Sequence, residues 1–372
     1  MEGVPNEIIL EVAQRLDTKS LLNLMLTNKT IHKLIKDHQQ SVLMNFMLRF
    51  ITPPPDVALS SEVFLRRPIE KNTFAMAAEM ERREAHAEDV LTSDYLKGAI
   101  PDDFRALEPQ KKKVFYALMK KAILRCDQVA DVAANAPCRP LEEQWYRQMK
   151  GQYFLPHDIP IGFRMKDPCS NLGARPSQRE FLRTLPKEDI AAMCYLMLMM
   201  SRAFYYNNTA LAEGDTNFPE HQVVFKECVL RHGTWFAWGQ MCGDDSWKNM
   251  SRNMQRIGWT ELISFELGDQ ETPASLHSTL SELFTEYYVP DLVDDDLADR
   301  KLVPFIPQVV LGLINGGQEE QPTGEAIEEA TQQAADEAAE YTAEEAMGEV
   351  VEKVVQGLIE AAVEGATGED QD

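Results

Sequence analysis

Cys228 and His232 stand one helical turn apart, and Cys242 follows ten residues later. Thiolate and imidazole are zinc ligands, but a closed structural site needs four ligands in characteristic pairs. No second pair accompanies these residues, and no two of the six cysteines share a C-x-x-C spacing. Scattered cysteines in this pattern read as free, mostly buried thiols in a reducing compartment. His157-Asp158 has the chemistry of an acid–base pair. The chain supplies no G-x-S-x-G, H-E-x-x-H, P-loop or G-x-G-x-x-G to go with it. We therefore expect no catalytic, cofactor-binding or metal-binding residues, and a protein that is not an enzyme.

Two further clusters are ambiguous. Lys111, Lys112, Lys113, Lys120 and Lys121 fall on one predicted helix, interleaved with Val114, Phe115, Ala117, Leu118 and Met119. That pattern is an amphipathic helix with a solvated basic face. A targeting signal, a patch for an anionic partner and a seat for an acidic tail are the alternatives. Trp235, Trp238, Trp247 and Trp259, with Phe236, lie close in sequence. They suit core packing first, and a substrate surface second, since aromatics also anchor interfaces.

The elements that must position these residues are helical. Short helical segments run from Val4 to about Phe50, and Thr52-Pro-Pro-Pro55 then forces an extended break. Longer helices are predicted over 69–96, 108–134 and 141–149. Prolines and glycines over 151–176 mark an irregular connection. Helices follow over 187–206, 222–231, 235–241, 244–264 and 274–288. Strand-like alternation is scarce and no internal repeat is visible. The fold class is all-α, in three parts: 1–50, a helical domain over 56–317, and an acidic tail over 318–372.

The chain has 372 residues and a net charge of −23. From Gln318 to Asp372 there are 17 acids and one base, Lys353, so most of the net charge belongs to the tail. Such a balance argues against general nucleic-acid binding. The longest apolar run, Ile190 to Met200, is too short for a bilayer span. No secretory signal is visible. In the tail Met347, Val350, Val351, Val354, Val355, Leu358, Ile359 and Ala362 recur at three- and four-residue steps, an apolar stripe. It suits docking on the chain's own body, or a partner or self-association helix.

The N-terminal segment is the most informative. Residues 4 to 35 carry fourteen large aliphatic side chains and no Phe, Tyr or Trp. Pro5 suits the start of one helix, Asp17 or Thr18 can cap a second, and Asn28 a third. Leu21 to Leu26 is apolar at five of six positions, which wraps most of the helix circumference. Two other short helices cannot cover that surface, and a unit of about 45 residues is near the limit of independent folding. The surplus must meet either the downstream domain or another chain.

The string VPNEIILEVAQRLDTKSLLNLMLTNKTIHKLI resembles the F-box motif. Val4-Pro5, Glu7, Ile8-Ile9, Val12, Leu16-Asp17, Leu21-Leu22, Leu24 and Leu26 fall on its positions. Departures are Val4 for the usual Leu, Ser20 for a common Asp, Thr27 for an aliphatic, and Ile31 for an aromatic. The resemblance implies a non-catalytic substrate adaptor of a Skp–cullin–F-box ubiquitin ligase, cytoplasmic or nuclear. Its partners would be the Skp adaptor, the cullin scaffold and an unknown protein substrate. The implied partner-binding residues are Val4, Pro5, Ile8, Ile9, Leu16, Leu21, Leu22, Leu24 and Leu26. The downstream region is similar to the helical C-terminal halves of fungal F-box proteins. A helical scaffold without a ubiquitin role is the alternative.

Overall fold

The computed structural model describes residues 5–62, 66–135, 174–208, 218–266, 275–290 and 302–316. Val4, His157-Asp158, Cys138, Cys169, the predicted helix 141–149 and the acidic tail lie outside them, as does the side chain of Trp259.

Helices dominate the described residues. Four short ones open the chain: α1 (Asn6–Arg15), α2 (Thr18–Thr27), α3 (Lys29–Asp37) and α4 (Gln39–Met47). Pro5 precedes α1, and its carbonyl accepts from the Ile8 and Ile9 amides. Asp17 caps α2 by accepting from the Ser20 amide at 2.6 Å, which holds its carboxyl below the usual range. Asn28 ends α2 and caps α3 through the Thr30 amide at 2.7 Å. Ala13, Leu21, Met25, Ile31, Ile35 and Val42 close a small core among these helices.

The proline break leads into a short antiparallel hairpin, β1 (Val57–Leu59) with β2 (Pro68–Glu70). The predicted helix over 69–96 is therefore divided. Pro68 to Glu70 pairs as a strand, Asn72 turns with a positive φ, and Thr73 caps α5 (Phe74–Thr92) through the Met76 amide. Ser93, in extended conformation, then separates α5 from α6 (Asp94–Lys97). Helix propensity ran through both breaks, but capping side chains decide where helices start and stop.

The body continues with α7 (Asp102–Arg105), α8 (Pro109–Asn135), α9 (Arg175–Arg183) and α10 (Lys187–Tyr206). α11 (Phe218–His232), α12 (Thr234–Met241), α13 (Asp245–Glu266), α14 (Leu276–Tyr288) and α15 (Phe305–Ile314) follow among the described residues. Helix α10 is buried on nearly every side, as its apolar sequence requires, and packs against α8, α11, α14 and α15. Asp189 in its first turn is also buried. It is held by Lys121 at 2.5 Å and Arg125 at 2.7 Å, both on α8. Helices α9 and α15 were not anticipated from the sequence, being short and set among prolines and glycines.

A buried charged junction ties the hairpin and α5 to α8 and α12. The Arg83 guanidinium donates to Glu79 at 2.9 Å, to both oxygens of Asp131 at 2.7 and 2.9 Å, and to the Leu59 carbonyl at 2.6 Å. Asp131 also accepts from the Leu59 amide, and Glu79 from the Ser61 amide. Burial opposes the charge on Glu79, but Arg83 and the Ser61 amide hold its carboxyl below the usual range. Arg66 donates to the Leu59, Ser60 and His232 carbonyls and lies over the Trp235 ring. Asp127 accepts from the Thr234 amide and hydroxyl at 2.9 to 3.0 Å. Gly233, with φ of 61°, makes that approach feasible, since a Cβ there would lie 2.1 Å from the Asp127 carboxylate.

Removing a single partner from such a junction leaves buried charge uncompensated. Arg83→Met should cost about 3–5 kcal/mol, read as a lowered midpoint in urea denaturation at pH 7. Acid should also destabilise the fold. Burial first, then Arg66, Arg175 and Arg231, depress the His232 pKa well below its ordinary 6.5. Burial brings His86 down to about 4. The unfolded chain takes up these protons below pH 6.5 while the folded chain does not, so stability is lost as pH falls from there. Asp127 opposes this, because burial pushes it up to about 6 and the fold binds that proton better. With two imidazoles against one carboxyl, the thermal midpoint should fall between pH 7 and 5. His232→Phe, which keeps a ring and removes a titrating group, should show a smaller fall in the same scans.

Candidate partner-docking surface

Helix α2 divides its apolar residues between two faces. Leu21 and Met25, one turn apart, point into the N-terminal core and are 1% and 7% exposed. Leu22 and Leu26, also one turn apart, point outward and are 43% and 81% exposed. Leu24 is half-buried against the core. Helix α1 repeats the arrangement. Ala13 is buried, Ile9 and Leu10 pack partly against the core, and Ile8 and Val12 are 51% and 46% exposed. Two apolar i,i+4 pairs on consecutive helices thus stand in water although the core beneath them is closed.

The sequence-derived partner set divides accordingly. Pro5, Ile8, Leu22 and Leu26 are exposed, and Ile9, Leu16 and Leu24 are half-buried. Leu21 is covered by its own chain, and Val4 lies outside the described residues. Leu21 and Leu22 cannot face the same way, since adjacent helix positions are turned by about 100°. Val12 belongs with the exposed residues. Helix α4 packs against α1 and leaves Met44 exposed, followed by Leu48 and Ile51. The sequence reading missed these three because it gave no facing to the residues beyond Ile35.

The surface sits on a rigid support. The Thr18 amide, at the start of α2, donates to both Glu81 oxygens at 3.1 Å, and the Ile51 amide donates to Glu84 at 2.8 Å. Both acids are on α5. Arg49 donates to the Gln14 carbonyl at the end of α1. Leu43, Phe46 and Ala77 pack together beneath Met47, Phe50 and Phe74. The four helices are thereby fastened to α5, and through its buried junction to the body.

The other candidates resolve into structure. Cys228 and His232 are buried on α11, and the Cys228 thiol points at the Met254 carbonyl. Cys242 is exposed, with its thiol pushed up to about 11, chiefly by burial of the sulfur. Among the described residues no group of three His, Cys, Asp or Glu is placed to hold a metal ion. Trp235 is buried, and Trp247 meets both Trp235 and Trp238 edge-on at 6.1 and 5.5 Å. Trp238 stacks on His86 at 4.3 Å and donates to Asp89 at 3.0 Å, so this cluster packs α12 and α13 onto α5. No helix among the described residues is long and apolar enough to cross a membrane.

The two faces of α2 should respond differently to substitution. Leu21→Ala removes a closed-core side chain and should cost about 2–5 kcal/mol. Leu26→Asp alters only an outward position and should stay within about 0.5 kcal/mol of the parent. Urea denaturation of the two variants separates them.

Residues 1–40 match the family model of the F-box domain. No curated protein and no solved structure matches the chain. The matched segment carries α1, α2, α3 and both exposed pairs, so the chain carries an F-box domain at residues 1–40.

Proposed function

We propose that the chain is a substrate adaptor that docks a Skp adaptor through Ile8, Val12, Leu22 and Leu26. Pro5 extends that face, and Ile9, Leu16 and Leu24 form its margin. The observation that carries this reading is the pair of exposed apolar steps on α1 and α2, inside the segment that matches the F-box domain. The core below them is closed without them, and they stay exposed among the described residues. About half of the combined surface of these four side chains remains to be covered. That corresponds to roughly 3–6 kcal/mol of gross burial, part of which association costs absorb.

In this reading the helical body from α5 onward holds a protein substrate, and a cullin scaffold completes the ligase in the cytoplasm or nucleus. The body contributes no chemistry to ubiquitin transfer. It sets where a bound substrate stands relative to the docked adaptor.

The purified full chain should bind a Skp adaptor in isothermal titration calorimetry. The I8E/L22E/L26E variant should lose at least about tenfold in affinity, equivalent to about 1.4 kcal/mol, with its thermal midpoint nearly unchanged. Absence of binding by the parent chain, or equal binding by the variant, overturns the reading.

A further inference from the structure

Helix α8 presents an outward stripe that the body leaves uncovered. Val114 and Tyr116 are 42% and 37% exposed, and Ala117 is exposed beside them. At 100° per residue, Lys113, Lys120 and Lys121 fall on the same side of the helix. Lys120 pairs with Glu88 at 3.1 Å and Lys121 with Asp189. Lys111, Lys112 and Lys113 have no carboxylate partner among the described residues, and the first turn of α8 carries no acid. Phe115 and Met119 on the opposite side are buried in the main core. The helix is thus amphipathic, but its outer side is both apolar and basic rather than merely solvated.

One segment of the same chain has the complementary character. Residues 318–372 carry a net charge of −16, in contrast with −7 for everything before them. Their apolar stripe from Met347 to Ala362 needs an apolar seat. The attachment point is favourable. Helix α15, which ends at Ile314 just before the tail, packs on both α8 and α10 and shares their core. About thirty residues separate Gly316 from Met347 and can span up to ~100 Å, whereas α8 is about 40 Å long.

We propose that the acidic tail docks in cis on the Lys113–Val114–Tyr116–Ala117 side of α8, with Lys113 on that face and the half-buried Lys111 and Lys112 at its two flanks neutralising part of its charge. Among the described residues another exposed basic stripe is Lys29, Lys33 and Lys36 on α3, which has no exposed large apolar side chain among it. Charge alone would suit either helix, and the tail's Val, Leu and Ile residues select α8. The tail then covers a surface of the body and leaves the exposed apolar pairs of α1 and α2 clear. This inference does not depend on adaptor docking.

Zero-length carbodiimide cross-linking of the full chain, read by mass spectrometry, tests it. A mixture of isotope-labelled and unlabelled protein separates links within one chain from links between copies. The expected result is same-chain links from Lys111, Lys112 or Lys113 to acids of 318–372. They should largely vanish at about 0.5 M salt, where screening acts over roughly 4 Å. The K111E/K112E/K113E variant should lose them. Removing residues 318–372 should raise the amine reactivity of Lys111–Lys113 at least about twofold, a readout that needs no substitution in α8. Tail links to Lys29, Lys33 or Lys36 instead, links only between differently labelled copies, or unchanged amine reactivity without the tail each overturn the proposal.

Discussion

Several helix N-termini in this protein are closed by carboxylates that reach in from other helices. Every helix starts with amide groups that lack partners inside the helix, and burying them unpaired is costly. Asp127 on α8 accepts from the Thr234 amide at the start of α12. Glu227 on α11 accepts from the Leu276 and His277 amides at the start of α14, each at 2.9 Å. Glu81 on α5 accepts from the Thr18 amide at the start of α2. Each contact satisfies orphan donors and complements the helix dipole. Each also fixes where one helix begins relative to the flank of another. Packing of apolar faces alone tolerates sliding, whereas a carboxylate against a terminal amide does not.

These acids need compensation themselves, and that requirement organises the arginines. Glu227 is paired with Arg231 at 2.9 Å, and Arg83 gathers Glu79 and Asp131 beside Asp127. Burial weighs against the charge on Arg83, and the surrounding carboxylates more than offset it, so the guanidinium stays protonated. The hairpin enters the same junction through the amide and carbonyl of Leu59, the amide of Ser61 and the side chain of Arg66. Two three-residue strands are too short to be stable alone. Their position follows from the ions they close over. The route from the exposed apolar pairs to the body therefore runs through defined contacts: α2 to Glu81, α5 to Arg83, Arg83 to Asp131 on α8. For the docking role proposed above, such a route would matter more than any single contact strength.

The sequence disclosed what depends on local spacing. The apolar run of α10 gave its bounds as Lys187 to Tyr206, and Asp17 and Asn28 announced the caps of α2 and α3. The surplus of apolar residues in Leu21–Leu26 was also legible as a composition. Which of them faced outward was not, because that depends on where α3, α4 and α5 lie. Met25 and Leu21 turn inward to meet Ile31, Ile35 and Val42. The inter-helix caps were invisible for a related reason. Glu81 stands 63 residues from Thr18, Asp127 stands 107 from Thr234, and an isolated Asp or Glu in a helix carries no sign of its target. The split at Ser93 was missed because Ala, Glu, Met and Arg favour helix throughout the segment, and a single capping hydroxyl overrode them.

The faces of α2 show how a short segment can both close a core and keep apolar residues exposed. A small helical unit that spent all its aliphatic residues on its own core would have no adhesive surface, and one that exposed them all would not fold. Here Leu21 and Met25 close the core, and Leu22 and Leu26 stay exposed. The core is too small to hold four helices on its own terms, and α5 makes up the difference through Glu81, Glu84, Phe74 and Ala77. The body thus stabilises the N-terminal helices from behind, and their outer apolar residues take no part in the core of the described residues. Stability drawn from behind and apolar surface left exposed in front are then separate properties of the same two turns of helix, carried by residues one position apart.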